Sequence, residues 1–279
     1  MVLRGVKGFK NIFPHSREYN QGSGQIRKGS ETVIVAQDGS GDTNSIQDGI
    51  DMLSSDGGVV YIKEGTYTLT SAIGITSNTT IIGAGAGATI IKHSFSDSSF
   101  NITSKFVYFS HIGFIAQNDA KCLVLSGAEC YVDHCQFTGG SGGQAMIKAT
   151  TQSTITNCYF ATGGHGVLVN PAEKVIIKNC TFEGTTKGVS LAFGADKCIV
   201  IGNCFESCTI GIDMANTVSF DLSTGNILIG NVVLNCTTTG ISIGQYNDKT
   251  VCVGNSCFDS GTDIDNSGTN TEIANNVTS

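Results

Sequence analysis

Glu183 and Glu206 each follow a phenylalanine in a phrase that returns about once every 23 residues, so a layered architecture sets them on neighbouring layers, one above the other. At the roughly 4.8 Å spacing of adjacent strands, two such carboxyls approach the roughly 5 to 5.5 Å separation of retaining glycosidases and raise one another's pKa. The competing arrangement has both pointing into solvent at a turn and splaying apart. Asp133 is a further carboxylate candidate, but the same register predicts that it, Asp213 and Asp221 are isolated. His165 is the candidate acid or base, in Gly164-His-Gly166, with Gln144 and Lys187 at the equivalent positions of the neighbouring layers. Metal chemistry finds no support: there is no CxxC, and Cys204-x-x-x-Cys208 has neither a second pair nor a nearby histidine. No phosphate loop, nucleophile elbow or basic-aromatic face for nucleic acid occurs, so no cofactor is expected.

The elements that must position these side chains are short strands. The phrase reads His111-Ile-Gly-Phe114, His134-Cys-Gln-Phe137, Asn157-Cys-Tyr-Phe160, Asn179-Cys-Thr-Phe182, a shorter Asn203-Cys-Phe205, Asn231-Val-Val-Leu234 and Asn255-Ser-Cys-Phe258. A second phrase, glycine followed by alternating apolar residues, keeps step at Gly166, Gly188, Gly211 and Gly240, and a third precedes the asparagine, as in Val175-Ile-Ile and Ile199-Val-Ile. Three short strands per period, each alternating in and out, make one coil of a parallel β-solenoid. Phenylalanines 114, 137, 160, 182, 205 and 258 are expected to stack inside. Asparagines 157, 179, 203, 231 and 255 are expected at a bend, where Asn tolerates a left-handed backbone and its amides can bond from coil to coil. Cys135, Cys158 and Cys180 fall on the inward face and Cys204 is turned away, so the cysteines read as reduced, small apolar residues.

An apolar share of 40%, 36 glycines, two prolines and no tryptophan suit many tight turns between short strands in a single large domain. The net charge of -7 is uneven: residues 1–30 hold six basic residues against Glu18, and every arginine lies among them. Residues 1–31 therefore read as an extended basic N-terminal arm and residues 32–279 as the β-helix domain. Helical spacing of Ile46, Ile50 and Leu53 predicts an amphipathic helix over about 45–55 that caps the open end of the first coil. The run from Met1 to Pro14 lacks the apolar core of a secretory leader and no stretch has transmembrane length, so synthesis in the cytoplasm without a Sec signal is expected. Two places break the repeat: a longer step near Asn216–Gly225 and the glycine-rich turn from Thr138 to Gly143.

Asp38-Gly-Ser-Gly-Asp42, Ser45-Ile-Gln-Asp-Gly-Ile50, Gly57-Gly-Val-Val-Tyr-Ile-Lys-Glu-Gly-Thr-Tyr67 and Asn78-Thr-Thr-Ile-Ile-Gly-Ala-Gly85 resemble the opening of the pectate-lyase-like right-handed β-helix superfamily. The resemblance implies an all-β, right-handed single-stranded parallel β-helix. It spans pectate lyases, polygalacturonases and viral tail spikes, so it leaves function open. Gly164-His-Gly166 is similar to the polygalacturonase Gly-His-Gly, yet the Asp pair and Arg-x-Lys that accompany it there are missing. Pectate lyases need clustered carboxylates for Ca²⁺ and a basic residue, usually arginine, and the solenoid has no arginine. The expectation is a non-enzymatic structural or adhesive protein of a virion or phage particle, as spike, tail or capsid-associated component. Its arm would bind an assembly protein, its body would form a homo-oligomer with a trimer favoured, and a glycan would be its ligand. The alternatives are a polysaccharide hydrolase or lyase and an exported cell-surface protein.

Overall fold

The computed structural model describes residues 32–93, 95, 97–116, 120–139, 144–214 and 222–279. The basic arm and residues 216–221 of the 216–225 interruption lie outside these residues, as do 140–143 of the glycine-rich turn. The rest is a right-handed parallel β-helix of about ten turns with almost no helix, as the superfamily resemblance implied.

One sheet has eleven parallel strands in chain order, from Thr32–Val35 at one end to Glu272–Ala274 at the other. A second, seventeen-stranded sheet folds around the opposite side and contains two strand positions per coil. They fuse into single eleven-residue strands at Tyr159–Val169 and Thr181–Leu191, where the bend between them straightens. Two-residue ladders, such as Ala172–Glu173 with Ala195–Asp196, mark a corner leading into the first sheet.

The helix spans Ile46–Asp51, shorter than the expected 45–55. Ser45 caps it by accepting from the Asp48 N–H at 3.3 Å, and Ile46 and Ile50 face the first strands. Leu53, though past the helix, is buried with them. The apolar face therefore covers the first coil as its spacing predicted.

The phenylalanine stack is present from Phe114 to Phe205, with ring centroids 4.7 to 4.9 Å apart and planes within 9°. Phe258 does not join it. Its backbone pairs with Leu234 in the outward row, while Cys257 pairs with Val233 inside. The cause lies one residue earlier in each coil. Up to Asn179 the left-handed bend is made by the first letter of the phrase: His111, His134, Asn157 and Asn179 have φ of 48 to 58°. From there on a preceding residue takes that conformation, namely Gly202, Gly230, Gly254 and Asn275. Strand register accordingly aligns Asn203 with Cys180 rather than with Asn179. The shorter phrase is thus the rule after residue 200.

This displacement divides the expected asparagine column. Asn157 and Asn179 are exposed bend residues, whereas Asn203, Asn231 and Asn255 are buried. The Asn231 Oδ1 accepts from the Asn203 N–H at 3.0 Å and from Asn203 Nδ2 at 3.1 Å; its own Nδ2 donates to the Val200 carbonyl and to Asn255 Oδ1, each at 2.9 Å. Asn276 continues the ladder through Asn255. The cysteines are all free thiols, and ten of the eleven are buried. Cys204, as expected, is turned away and only half-buried. Burial pushes the Cys198 and Cys252 thiols up to about 11, so they serve as apolar filler.

Candidate functional site

The outer face of the second sheet carries the chemistry. Its register places Gln136, Tyr159, Thr181 and Cys204 in one outward row, and Thr138, Ala161, Glu183 and Glu206 in the next. Glu183 and Glu206 are direct partners on adjacent strands, as their phrase positions predicted, and both are exposed. Tyr159, one coil earlier, donates its hydroxyl to Glu183 Oε2. That hydrogen bond, with burial second, raises the phenol pKa. Identical phrase positions do not reveal Tyr159, because its contact with Glu183 is a diagonal one made by a long side chain. Above it, a shallow depression of about 220 Å³ is lined by Ala86, Gly87, Ile90, Gly113, Gln136 and Thr138 among others. A Cβ on Gly113 would stand 2.3 Å from the Ala86 carbonyl oxygen, so glycine keeps this floor open.

A second cluster occupies the other half of the same sheet. His165 pairs in register with Lys187 as expected, but with Ala145 rather than Gln144 on the other side; Gln144 contributes only its carbonyl, which accepts from the His165 N–H at 3.2 Å. Asp213 is not isolated. Its Oδ2 lies 2.5 Å from Lys187 Nζ, and its side chain is 3% exposed against 30% for the lysine. Asp213 stands directly beside Ser190, three residues along from Lys187, and the lysine stem spans that offset. Beside the pair, His165 Nδ1 is buried without a hydrogen-bond partner. Burial, reinforced by the Lys187 charge and opposed by Asp213, lowers the His165 pKa.

Burial likewise lowers His93, whose Nδ1 is 2.6 Å from Ser99 Oγ. Both imidazoles take up protons more readily in the unfolded chain, near the ordinary value of about 6.5. Their contribution to stability is therefore complete above that pH and is lost as pH falls below it. The urea midpoint should fall between pH 7 and pH 5, with a shallower slope in the His93→Gln/His165→Gln variant. An equal slope in both proteins would contradict this assignment.

Asp133 is partnered as well, contrary to the register expectation. It accepts from Tyr108 Oη at 3.0 Å and Asn157 Nδ2 at 2.9 Å, and lies 2.9 Å from His134 Nδ1. Burial opposes its ionisation, but these hydrogen bonds outweigh it and hold the carboxyl below its usual range. The His134 ring stacks on His111 at 5.3 Å. This group belongs to the first sheet, so Asp133 does not share a face with Glu183 and Glu206. Asp221 lies outside the described residues. Among the described residues, no three His, Cys, Asp or Glu side chains are placed to hold a metal ion, and no helix is long and apolar enough to cross a membrane.

The profile of the family described as "Right handed beta helix region" matches residues 25–205 and 122–278. The chain belongs to the right-handed β-helix family. No curated protein sequence matches it. Among solved structures, this β-helix is similar to the Azotobacter vinelandii mannuronan C-5 epimerase AlgE6 A-module, with a TM-score of 0.68 at 12% identity over 83% of this chain and 70% of that one. It is also similar to the tailspike protein of E. coli bacteriophage HK620, solved with a pentasaccharide (TM-score 0.61, 14% identity, 84% of this chain, 53% of that one). A third similarity is to the enzymatically active domain of bacteriophage CBA120 tailspike protein 2 (TM-score 0.63, 14% identity, 83% and 40%). The chain thus spans about half or less of the two tailspikes. At these identities the likeness is one of fold, and the fold serves both phage tailspikes and carbohydrate-active enzymes.

Proposed function

We propose that this β-helix is a non-enzymatic structural and adhesive component of a viral or phage particle, held to its assembly through residues 1–31 and binding a glycan along the outer face of its second sheet. The observation that carries the reading is the continuous row Gln136, Tyr159, Thr181 with Glu183 and Glu206 beside it, opening at one end into the Gly113 depression. An aromatic ring and hydrogen-bonding groups repeated at one coil spacing suit a chain of sugar rings, which present an apolar face and a rim of hydroxyls. The rigid stacks beneath keep those groups preorganised. Screening immobilised surface polysaccharides should find a binder whose affinity drops about tenfold or more in Tyr159→Ala and in Glu183→Gln/Glu206→Gln, as expected when one or two hydrogen bonds of about 1 to 1.5 kcal/mol are lost. Absence of binding to every glycan, or binding indifferent to these changes, would refute the site. Deleting residues 1–30 should leave a folded rod that no longer joins its assembly.

A second reading, a polysaccharide hydrolase or lyase, is favoured by one observation: the enclosed Lys187–Asp213 pair beside the unpartnered Nδ1 of His165. An imidazole held neutral is suited to accept a proton. Release of reducing ends or unsaturated products, abolished in His165→Ala or Lys187→Met, would establish this reading and displace the first.

A further inference from the structure

The outer face of the first sheet is apolar over four consecutive strands that end one coil before its last, where Glu272 enters the row. One outward row runs Ile176, Ile199, Ile227 and Val251 on consecutive strands. The parallel row holds Ile201, Ile229 and Val253. All seven are half-buried or exposed, with Ile201 37% exposed, and the first row continues upward through Thr154 to Tyr131, which is 46% exposed. Outward positions of a solvated sheet alternate to polar residues, and here they do not. From the Ser153–Thr156 strand to Val251–Val253 these rows contain no carboxylate, and Lys178 is their one charge.

We infer that this face is the seam where a second copy of the chain packs, sheet against sheet. Three properties select a copy over other partners. The first is charge. From residue 31 onward, ten lysines against 22 aspartates and glutamates leave about -12, so two bodies repel one another over most of their surface. The face itself is uncharged but for Lys178, and its rim alternates in sign, with Lys197 Nζ 3.9 Å from Glu173 Oε2 and Lys249 Nζ 3.7 Å from Asp248 Oδ2. It is where an anionic rod can meet itself without penalty, and it offers nothing special to a basic partner. The second is period. Its ridges recur at the coil spacing of about 4.8 Å, and side chains of two packed sheets must interdigitate. Another copy has the same ridge spacing, so the match holds along the whole length. The third is size. Five coils of about 4.8 Å and a width near 20 Å with the flanking turns make on the order of 480 Å² per copy, or about 1,000 Å² in total, the size of a small, reversible interface.

The seam goes beyond the glycan reading and does not depend on it, because the two sites lie on different sheets. Sedimentation equilibrium of the full chain between about 1 and 100 µM tests it. The expected result is a dimer or trimer in the wild type. Ile199→Glu/Ile227→Glu should weaken self-association at least 100-fold with an unchanged circular dichroism spectrum. Ile199→Thr/Ile227→Thr, which keeps the β-branched shape, should weaken it less and guards against loss of folding in the charged variant. A wild-type chain that is monomeric throughout, or an oligomer that persists in both folded variants, overturns the seam. A monomer whose face binds a hydrophobic dye only after residues 1–30 are removed assigns the face to that segment instead and also overturns it.

Discussion

Replacing Asn231 with alanine is expected to lower the unfolding free energy by about 3 to 5 kcal/mol, whereas the same change at Asn157 costs about 1 kcal/mol. Both asparagines hold the same place in the repeating phrase, and the structure gives them different work. Asn231 is fully buried and its amide bonds to the coils on either side. Alanine there strands the Asn203 N–H, the Val200 carbonyl and the side chains of Asn203 and Asn255 without water to replace the lost partner. Each buried unsatisfied group costs roughly 1 to 3 kcal/mol, partly relieved by relaxation. Asn157 is exposed, donates one hydrogen bond to Asp133, and sits at φ 52°. Its loss is met by water, leaving mainly the cost of a left-handed alanine. Urea midpoints of the two variants compare them directly, and amide exchange at Asn203 should accelerate only in Asn231→Ala. Equal losses at the two positions would refute the division of the column.

Truncating Phe182 to alanine should remove about 3 to 5 kcal/mol, and Phe182→Leu roughly a third of that. The ring has no exposed surface and lies between Phe160 and Phe205 at 4.7 and 4.8 Å. A Cβ built on Gly166 would come within 2.6 Å of its Cδ1, so the glycine of the second phrase exists to receive this ring. Alanine at 182 would open a void between two stacked rings and the Gly166 backbone, in a solenoid whose coils are each fixed by their neighbours. Because such a rod can unfold in parts, the loss should be followed by both circular dichroism and tyrosine fluorescence. Midpoints unchanged by either probe would show that the stack contributes little.

The sequence by itself determined the solenoid, the inward phenylalanines from 114 to 205, the buried thiols and the adjacency of Glu183 to Glu206. Each follows from period and alternation: a side chain's face is set by parity along a strand, and its layer by the repeat length. Parity also explains the errors. When Gly202 takes the left-handed bend in place of an asparagine, every following letter moves by one, which carries Asn203 and Asn231 inward and turns Phe258 out. A phrase matched by its letters conceals that shift, because a one-residue slip exchanges the faces of a strand. Contacts that cross rows were decided only by the tertiary structure. Lys187 reaches Asp213 and Tyr159 reaches Glu183 diagonally, by side-chain length rather than by register. The apolar seam was likewise written in plain isoleucines, yet a fully enclosed strand and an outward apolar row read alike along the chain. Which of the two Ile199 and Ile201 belong to depended on how the coil closes, since only that closure decides which side of the strand faces the core.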